Sequence, residues 1–539
     1  MKSSYIIKSN AIFDGIKKTP YAGAIVIKGN RIDKVIEDGD GTEYMDTDAI
    51  VLDYGDKMVM AGFVDAHDHF FDGTVTSSEH MCSILASKNE KEAVEIMKEY
   101  RKTHPNEVRI RAMGWLPTLW DDAPLPTKIS LDEAFPDIPV YAIAADFHTF
   151  WCNTLALEES GYSPDDKFEG GYLGKFADGS LNGLIHEPSA FLKAKFKAFE
   201  FDTESRRENL RTFIKQTSAA GVTSVSDMSA SDFVGGEDSP LEAALEMVKN
   251  NELNVRIHMY SNMVAYEDFT STKEFSEKIN NSFIQLCGVK SFYDGTSSTH
   301  TAWMLEPYTD KPDTCGEGCP VIPIEEMNRK VVAANAVGLP VRIHCIGDAA
   351  VRAGLDCFEE SIKVNGKHEL KNTIEHIEMI DPADIDRFAE LNVIASMQAQ
   401  HIPLDEFEKT TRCGDRDKMQ WVLRSLIDAG AKMAFGTDYP VVDFNPYPTI
   451  HAAVTRNFAD GRPASPNPEQ CISLYESLIA YTLGAADVYG RADELGSLEE
   501  GKLADIIVVD RNLFDIPVDD IYNAETIMTM IDGRIVYEA

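Results

Sequence analysis

The sequence predicts an α/β fold: a parallel (β/α)8 barrel, or TIM barrel, with a small β-sandwich domain formed from both chain ends and a subdomain inserted after barrel strand 1. Three observations predict it. Short β-rich runs alternate with amphipathic helical stretches through the middle of the chain. There are eight such runs, the number that closes a parallel barrel. At both chain ends the sequence instead predicts short strands separated by turn residues.

The two chain ends are predicted to pair with each other. The runs YIIKSNAIFDG and GAIVIKGNRIDKVIE near the start alternate apolar and polar residues around Gly-Asn and Asp-Gly turns. LADIIVVD and TIMTMIDGRIVYE near the end follow the same pattern. Because chain termini often lie close together, we expect residues 1–60 and 490–539 to form one small β-sandwich domain.

Residues 61–489 are predicted to form the barrel. The interval between its first two strands is too long for one βα connection, so residues from about 71 to 220 are predicted to be an inserted subdomain. The segments after the later strands, such as AAVRAGLDCFEESIK, have the period of amphipathic helices. The eight predicted strands are 62–70, 221–228, 254–262, 288–295, 339–348, 372–380, 392–400 and 432–440.

The composition restricts the partners and the compartment. The 539 residues carry 51 basic and 89 acidic side chains, a net charge of −38, which argues against nucleic acid and anionic membranes. The sequence has no signal-peptide pattern and no apolar run long enough to span a membrane. Together with scattered cysteines, these features predict a cytoplasmic protein with reduced thiols. Cys315 and Cys319 form a CxxxC motif, a weak indication of a soft-metal or redox site.

Potential metal ligands lie at the ends of five of the eight predicted strands. In barrels of this class the chemistry lies at the carboxyl ends of the strands. Each residue alone has an ordinary alternative: a core histidine, a turn-forming aspartate or a surface lysine. Their joint placement predicts a metal site, because imidazole and carboxylate groups are ligands that zinc and similar ions prefer. They are His67 and His69 on strand 1, Lys290 on strand 4, His344 on strand 5, His376 on strand 6 and Asp438 on strand 8.

The motifs around these residues resemble those of the amidohydrolase superfamily. More closely, they resemble the branch that contains N-substituted formamide deformylase and many predicted metal-dependent hydrolases. The resemblance extends over essentially the whole chain. It rests on GFVDAHDHF at strand 1, VKSFYDGTSSTHTA at strand 4, RIHCIGDAA and IEH at strands 5 and 6, SMQAQH at strand 7, FGTDYPV at strand 8 and GSLEEGKLADIIVVD at the return to the small domain.

The resemblance implies a site for two divalent metal ions, most simply zinc. Lys290 matches the position at which many binuclear members carry a carboxylated lysine that bridges both ions. A neutral lysine amine can add CO2 to give two oxygen ligands, whereas an ammonium would be repelled by the cations. The alternative is a single ion beside an unmodified, structural Lys290. The implied ligands are His67, His69 and Asp438 for the more buried ion, and His344 and His376 for the second.

The resemblance also implies a hydrolase. A metal-activated hydroxide would attack an amide-type, non-peptide C–N bond of a small molecule, with Asp438 as general base and acid. His401 would stabilise the oxyanion, unless it is only a loop histidine near the mouth. The family resemblance suggests a homodimer. Candidate substrate-binding residues are Trp115, His148, His300 and Tyr439, and for Trp115 the alternative is packing within the insertion.

Two other kinds of function stay open. The same hydroxide can deaminate a heterocycle or hydrolyse an ester or lactone, and no side chain identifies the leaving group. The alternative from a different class is a non-catalytic binding protein on a hydrolase scaffold. Loss of ligands would mark that alternative, and all the implied ligands are present.

Overall fold

The protein is described from a computed structural model that covers residues 4–44, 49–116, 120, 124–145, 147–168, 171–228, 239–263, 268–298, 300–313, 320–404 and 412–539. The chain divides into two compact units. One consists of residues 1–70, 214–234 and 244–539, and the other of residues 71–213 and 235–243.

The first unit contains the parallel barrel. Its eight strands are hydrogen-bonded in chain order, each parallel to its neighbour. The last strand returns to the first, because the Asp438 N–H donates to the His67 carbonyl at 2.7 Å. The eight-stranded barrel predicted from the sequence is therefore confirmed. Barrel strands 1 to 8 are Phe63–Asp68, Val222–Asp227, Arg256–Asn262, Ile284–Phe292, Val341–Cys345, Thr373–His376, Ile394–Met397 and Met433–Phe435.

The barrel strands are buried on both faces. Every residue of Val341–Cys345 and of Ile394–Met397 is buried, as expected for parallel strands that helices cover. The helix Asp348–Asn365 buries one apolar stripe, which includes Leu355 and Phe358. The other helices of this unit are Thr270–Lys278, Ile324–Ala336, Ile385–Glu390, Leu423–Asp428, Pro446–Thr455, Leu474–Ala480 and Leu483–Val488, and the chain also forms Thr203–Ala219 and Pro240–Lys249.

Both chain ends enter one small sheet of the first unit. Strand Met58–Ala61 pairs antiparallel with Ile506–Val509, which joins the N-terminal and C-terminal segments directly. The first strand, Ser4–Phe13, shifts register between Ser9 and Ile12 and thereby pairs with different neighbours along its length. The domain limits 1–60 and 490–539 stay a prediction. The remaining strands of the sheet are Tyr21–Lys28, Arg31–Glu37, Ile50–Asp53, Thr526–Ile531 and Arg534–Glu538.

The second unit has its own sheet and its own core. Trp115, Trp120 and Trp151 pack together in that core, with ring centroids 5.9 to 6.3 Å apart. The predicted limits of the insertion, about 71 to 220, stay a prediction. The strands are Cys82–Ser83, Ile110–Trp115, Val140–Ala144, Thr149–Cys152, Tyr172–Lys175 and Leu181–His186, and the helices are Phe70–Thr76, Glu90–Thr103, Lys128–Ala134, Thr154–Glu159 and Pro188–Ala198.

Two composition-based expectations concern the whole chain. Within the described ranges, no helix combines the length and apolar character that a membrane crossing requires. The cysteines of those ranges are all free thiols. The CxxxC pair, Cys315 and Cys319, lies outside the described residues.

Candidate metal centre

Three of the implied ligands meet at the carboxyl end of the barrel. One ligand atom each from His67, His376 and Asp438 lies within 4.8 Å of the others. His69 joins the same group, because its Nε2 and the Nε2 of His67 both lie 3.3 Å from Oδ1 of Asp438. Strands 1, 6 and 8 therefore deliver three imidazoles and a carboxylate to one place.

His344 extends this group from strand 5. Its ring centroid lies 4.4 Å from that of His376, and the His376 centroid lies 4.8 Å from that of His67. Burial, together with the neighbouring His344 and His67, lowers the pKa of His376 well below its usual range. His376 is therefore neutral, and neutral imidazole is the form that binds metal.

Asp438 keeps its charge despite its burial. Burial would raise the pKa of this carboxyl, but the adjacent His67 and His69 hold the pKa well below its usual range. An ionised carboxylate beside imidazole groups can bind a cation and can accept a proton.

Two of these residues have an unusual backbone. His376 has φ +73° and Asp438 has φ +61°, in the left-handed region, which costs about 1–3 kcal/mol for a residue other than glycine. Gly436 explains how strand 8 approaches so closely: a Cβ there would lie 2.3 Å from the backbone nitrogen of His67. The strain and the close approach both fall where the ligands converge.

Lys290 is buried, and its Nζ makes no hydrogen bond to the described residues. Its side chain is 2% exposed. Burial lowers the pKa of Lys290 to about 8, although the negative charges of Glu375 and Asp438 oppose the shift. A substantial fraction of the amine is therefore neutral near pH 8, which is the form that the predicted carboxylation requires.

Glu375 contacts the ligand residues, although it was not singled out from the sequence. Its Oε2 accepts a hydrogen bond from Nδ1–H of His67 at 2.7 Å, which leaves Nε2 of His67 free to face Asp438. Its Oε1 accepts from Nε–H of Arg342 at 2.5 Å. Such a carboxylate fixes the tautomer of a metal-binding histidine. The only sequence signal was its place beside His376 in the IEH motif.

Arg342 was also missed. It is fully buried and donates to Ser226 Oγ at 2.8 Å and to the Ala66 carbonyl at 2.5 Å, besides Glu375. Burial would raise the pKa of Glu375, but Arg342 and His67 hold it well below its usual range. Arg342 and Glu375 therefore form a buried ion pair next to the candidate ligand His67.

Two further buried carboxylates position the strand ends. Asp294 accepts the backbone N–H groups of Ile346 at 3.0 Å and Gly347 at 2.8 Å, just beyond His344. Asp65 accepts the Thr437 hydroxyl at 2.7 Å, and burial raises the pKa of Asp65 to about 6. Asp65 begins the DAHDH motif and Asp294 lies in VKSFYDGTSSTHTA, and these positions were the sequence signals for the two residues.

His401 and Tyr439 lie beside the ligands. Nε2 of His401 is 3.2 Å from the Thr437 carbonyl oxygen, and its ring centroid is 6.5 Å from that of His376. The Tyr439 carbonyl accepts the His69 N–H at 3.0 Å, and its ring packs edge-on against Phe444. Their predicted roles stay predictions.

The other three candidates have different surroundings. His300 follows strand 4, where its Nε2 lies 3.0 Å from a carboxylate oxygen of Asp310. In the second unit, Nδ1–H of His148 donates to Oε2 of Glu187 at 2.7 Å. Also in that unit, Trp115 is 1% exposed and its indole N–H donates to the Ala142 carbonyl at 3.0 Å. That placement supports the packing alternative for Trp115 rather than the predicted substrate contact.

The residues present fit a divalent metal. Imidazole nitrogens and a carboxylate are ligands of zinc, and the unpartnered Nζ of Lys290 is a buried polar atom that lacks a structural explanation within the described chain. Comparison with known proteins agrees. The amidohydrolase family model matches residues 51–537.

The chain belongs to the amidohydrolase family. Two curated relatives span nearly the whole of this amidohydrolase. Protein LONG AFTER FAR-RED 3 of Arabidopsis thaliana is 28% identical over 545 residues, 99% of this chain and 91% of that protein. N-substituted formamide deformylase of Arthrobacter pascens is 24% identical over 530 residues, 96% of this chain and 95% of that enzyme.

A solved structure has the same fold. An uncharacterized metal-dependent hydrolase from Pyrococcus horikoshii OT3 superposes with a TM-score of 0.75 at 24% identity, covering 96% of this chain and 99% of the other. The predicted family is confirmed, and this amidohydrolase is a hydrolase of the metal-dependent type. The bond that it cleaves, the identity and number of its ions, the bridging lysine, the homodimer and the cytoplasmic location stay predictions.

Proposed function

We propose that this amidohydrolase cleaves an amide-type, non-peptide C–N bond of a small molecule at a site for two divalent ions, most simply zinc. The observation that carries the proposal is the cluster of His67, His376 and Asp438, whose ligand atoms lie within 4.8 Å of one another. It is supported by the buried Lys290, whose Nζ has no hydrogen-bond partner among the described residues. His67, His69 and Asp438 would hold one ion, and His344 and His376 the other.

Lys290 would supply the bridge between the ions. Its neutral Nζ attacks the carbon of CO2, an N–C bond forms, and one proton leaves the nitrogen for solvent. The product carries one negative charge shared by two oxygens, which suits hard divalent ions better than an amine does. The low pKa of Lys290, about 8, makes this addition accessible near neutral pH.

Divalent ions held there supply Lewis acidity, which polarises a carbonyl and acidifies water. Side chains of the protein then accept and return the proton. Oδ1 of Asp438 faces both His67 and His69 at 3.3 Å, so Oδ2 is the oxygen left to take a proton and return it to the leaving amine. Nε2–H of His401 faces the Thr437 carbonyl at 3.2 Å, and it would donate to the developing oxyanion by exchanging that contact for the substrate. Glu375 keeps Nδ1 of His67 protonated throughout.

Elemental analysis and a hydrolysis screen of the same preparations test the proposal. We expect about two ions per chain in the wild type and fewer in Lys290→Ala, because the variant loses the bridging oxygens. Lys330→Ala is the matched control, since Lys330 is also buried but lies on the outer helix Ile324–Ala336. Asp438→Asn should lower kcat by at least about 100-fold.

The substrate panel contains N-substituted formamides, lactams, matched lactones and amino-substituted heterocycles. Turnover of lactones alone would replace the amide proposal by ester or lactone hydrolysis. Turnover of the amino-substituted heterocycles alone would replace it by deamination. One ion per chain, unchanged in Lys290→Ala, would make that lysine structural. An absence of metal after growth with added zinc would refute the mechanism altogether.

A further inference from the structure

Gln398 carries a buried carboxamide that the proposed mechanism does not use. It directly follows barrel strand 7, Ile394–Met397, and is 0% exposed. Among the described residues, neither Oε1 nor Nε2 has a hydrogen-bond partner, and no other buried carboxamide there has both atoms unpartnered. Buried polar groups are nearly always satisfied, so an exception of this kind requires an explanation.

Another buried carboxamide of the barrel shows the usual arrangement. Oδ1 of Asn372 accepts the Val341 N–H at 2.9 Å, and its Nδ2 donates to Oδ1 of Asn335 at 2.9 Å. That amide holds neighbouring segments together. Gln398 makes no comparable contact with the described chain.

The side chain of Gln398 belongs to the inner face of the barrel. Ser396 faces the interior, because Arg342 donates to its Oγ at 3.3 Å from across the barrel. Residues two apart on a strand face the same side. Gln398 therefore continues the inner face of strand 7 toward the carboxyl end of the barrel.

The register places Gln398 level with the ligand group. Met397 pairs with Phe435 on strand 8, so Gln398 is level with Gly436, two residues before Asp438. The backbone carbonyl of Gln398 also accepts the N–H of His401 at 2.9 Å. The unpartnered amide thus lies in the same layer as the candidate metal centre.

The chemistry of a carboxamide defines what would satisfy it. Oε1 accepts and Nε2 donates, side by side on one edge. A matching group presents an N–H and a C=O on one edge of its own. Lactams, cyclic ureides and primary amides do so. Esters and lactones have no N–H, and open-chain secondary amides, being trans, hold the two groups on opposite edges.

We propose that Gln398 is a substrate-recognition residue that binds the adjacent N–H and C=O of a cyclic or primary amide. The proposal rests on the proposed function and narrows its substrate class. It also explains how one metal site would favour a C–N bond over the C–O bond of a lactone. A site built around such a pair rejects analogues that leave it unsatisfied.

Binding of two matched ligands tests the proposal. We would titrate 2-piperidone and N-methyl-2-piperidone into zinc-loaded, full-length protein and measure Kd by ligand-observed NMR. Methylation removes the N–H and keeps the carbonyl, so we expect the wild type to prefer 2-piperidone by about 10-fold, the value of one hydrogen bond. Gln398→Met should bind both equally. Equal affinities in the wild type, or no binding of 2-piperidone, would overturn the proposal.

Gln400→Met is the matched control. Oε1 of Gln400 accepts the Thr449 hydroxyl at 3.0 Å, so this glutamine has a structural partner. We expect Gln400→Met to lower Tm and to keep the preference for 2-piperidone. Gln398→Met should keep or raise Tm, because methionine removes an unsatisfied buried amide. A clear loss of Tm in Gln398→Met would assign Gln398 a structural role instead.

The hydrolysis screen separates this proposal from the proposed function. Turnover of open-chain formamides without any ligand preference at Gln398 would refute only the recognition role. A preference for 2-piperidone that depends on Gln398, in a protein that hydrolyses no amide, would refute only the proposed reaction.

Discussion

Burial drives every ionisable side chain toward its neutral form, and only a close partner keeps it charged. Lys290 has no hydrogen-bond partner within the described chain, and its pKa falls to about 8. Asp438 has two imidazoles within 3.3 Å and remains an anion. The candidate centre therefore combines an ionised carboxylate with His376 and Lys290, whose pKa values burial lowers, and this arrangement favours a bound cation.

Asp417 offers a pH test of the same rule away from the ligands. It lies in the short 3-10 helix Gly414–Met419, its Oδ2 has no hydrogen-bond partner among the described residues, and burial raises its pKa to about 7. The unfolded carboxyl titrates near 3.8, so between pH 4 and 7 the folded state binds more protons. Stability is therefore lost as the pH rises through this window.

We expect Asp417→Asn to remove that loss. The variant should be more stable than the wild type by about 2 kcal/mol at pH 8.5, and by less at pH 5.5, where the wild-type carboxyl is largely protonated. Thermal unfolding at the two pH values measures the difference. Asp415→Asn is the control, because that carboxylate is exposed in the same 3-10 helix. A pH-independent difference would refute the assigned pKa shift.

At the scale of elements, the buried Arg342 joins its neighbouring strand to strands that the backbone ladder does not connect to its own. Arg342 on strand 5 donates to Glu375 on strand 6, Ser226 on strand 2 and the Ala66 carbonyl on strand 1. Glu375 in turn fixes His67. The ligand group therefore depends on contacts across the barrel interior.

Removing one partner should expose this dependence. Arg342→Met leaves Glu375 buried without its main cation, and we expect a loss of about 3–5 kcal/mol in the free energy of unfolding. The double variant Arg342→Met/Glu375→Gln should recover part of it, because no buried charge remains unpaired. The single variants Arg342→Met and Glu375→Gln should each bind zinc about 10- to 100-fold more weakly in chelator competition. Additive destabilisation in the double variant would contradict the ion pair.

The same elements explain what the sequence could and could not predict. The strands were predictable because apolar runs and turn residues are local signals, and the ligands were predictable because they end those runs. Arg342 sits inside the apolar run VRIHC, and its partner Glu375 is far away in sequence, so only the folded register reveals the pair. For Trp115 the sequence could not separate two roles, because an aromatic residue has the same sequence pattern in a substrate pocket and in a hydrophobic core; the structure places it in a core.

At the scale of the whole molecule, the chain carries a net charge of −38, with 51 basic against 89 acidic residues. Mutual repulsion of like charges destabilises a compact state, and salt screens it. The Debye length falls from about 30 Å at 10 mM salt to below about 10 Å at 300 mM, so repulsion between distant acidic groups is largely removed while close ion pairs persist.

We therefore expect Tm to rise by about 2–5 °C between 10 and 300 mM NaCl at pH 8, with zinc kept saturating so that its binding does not vary. KCl should act like NaCl because the effect is one of ionic strength. A Tm that falls with salt would mean that surface ion pairs such as Lys17–Glu37 outweigh the net repulsion, and the acidity of the chain would then have no stability consequence.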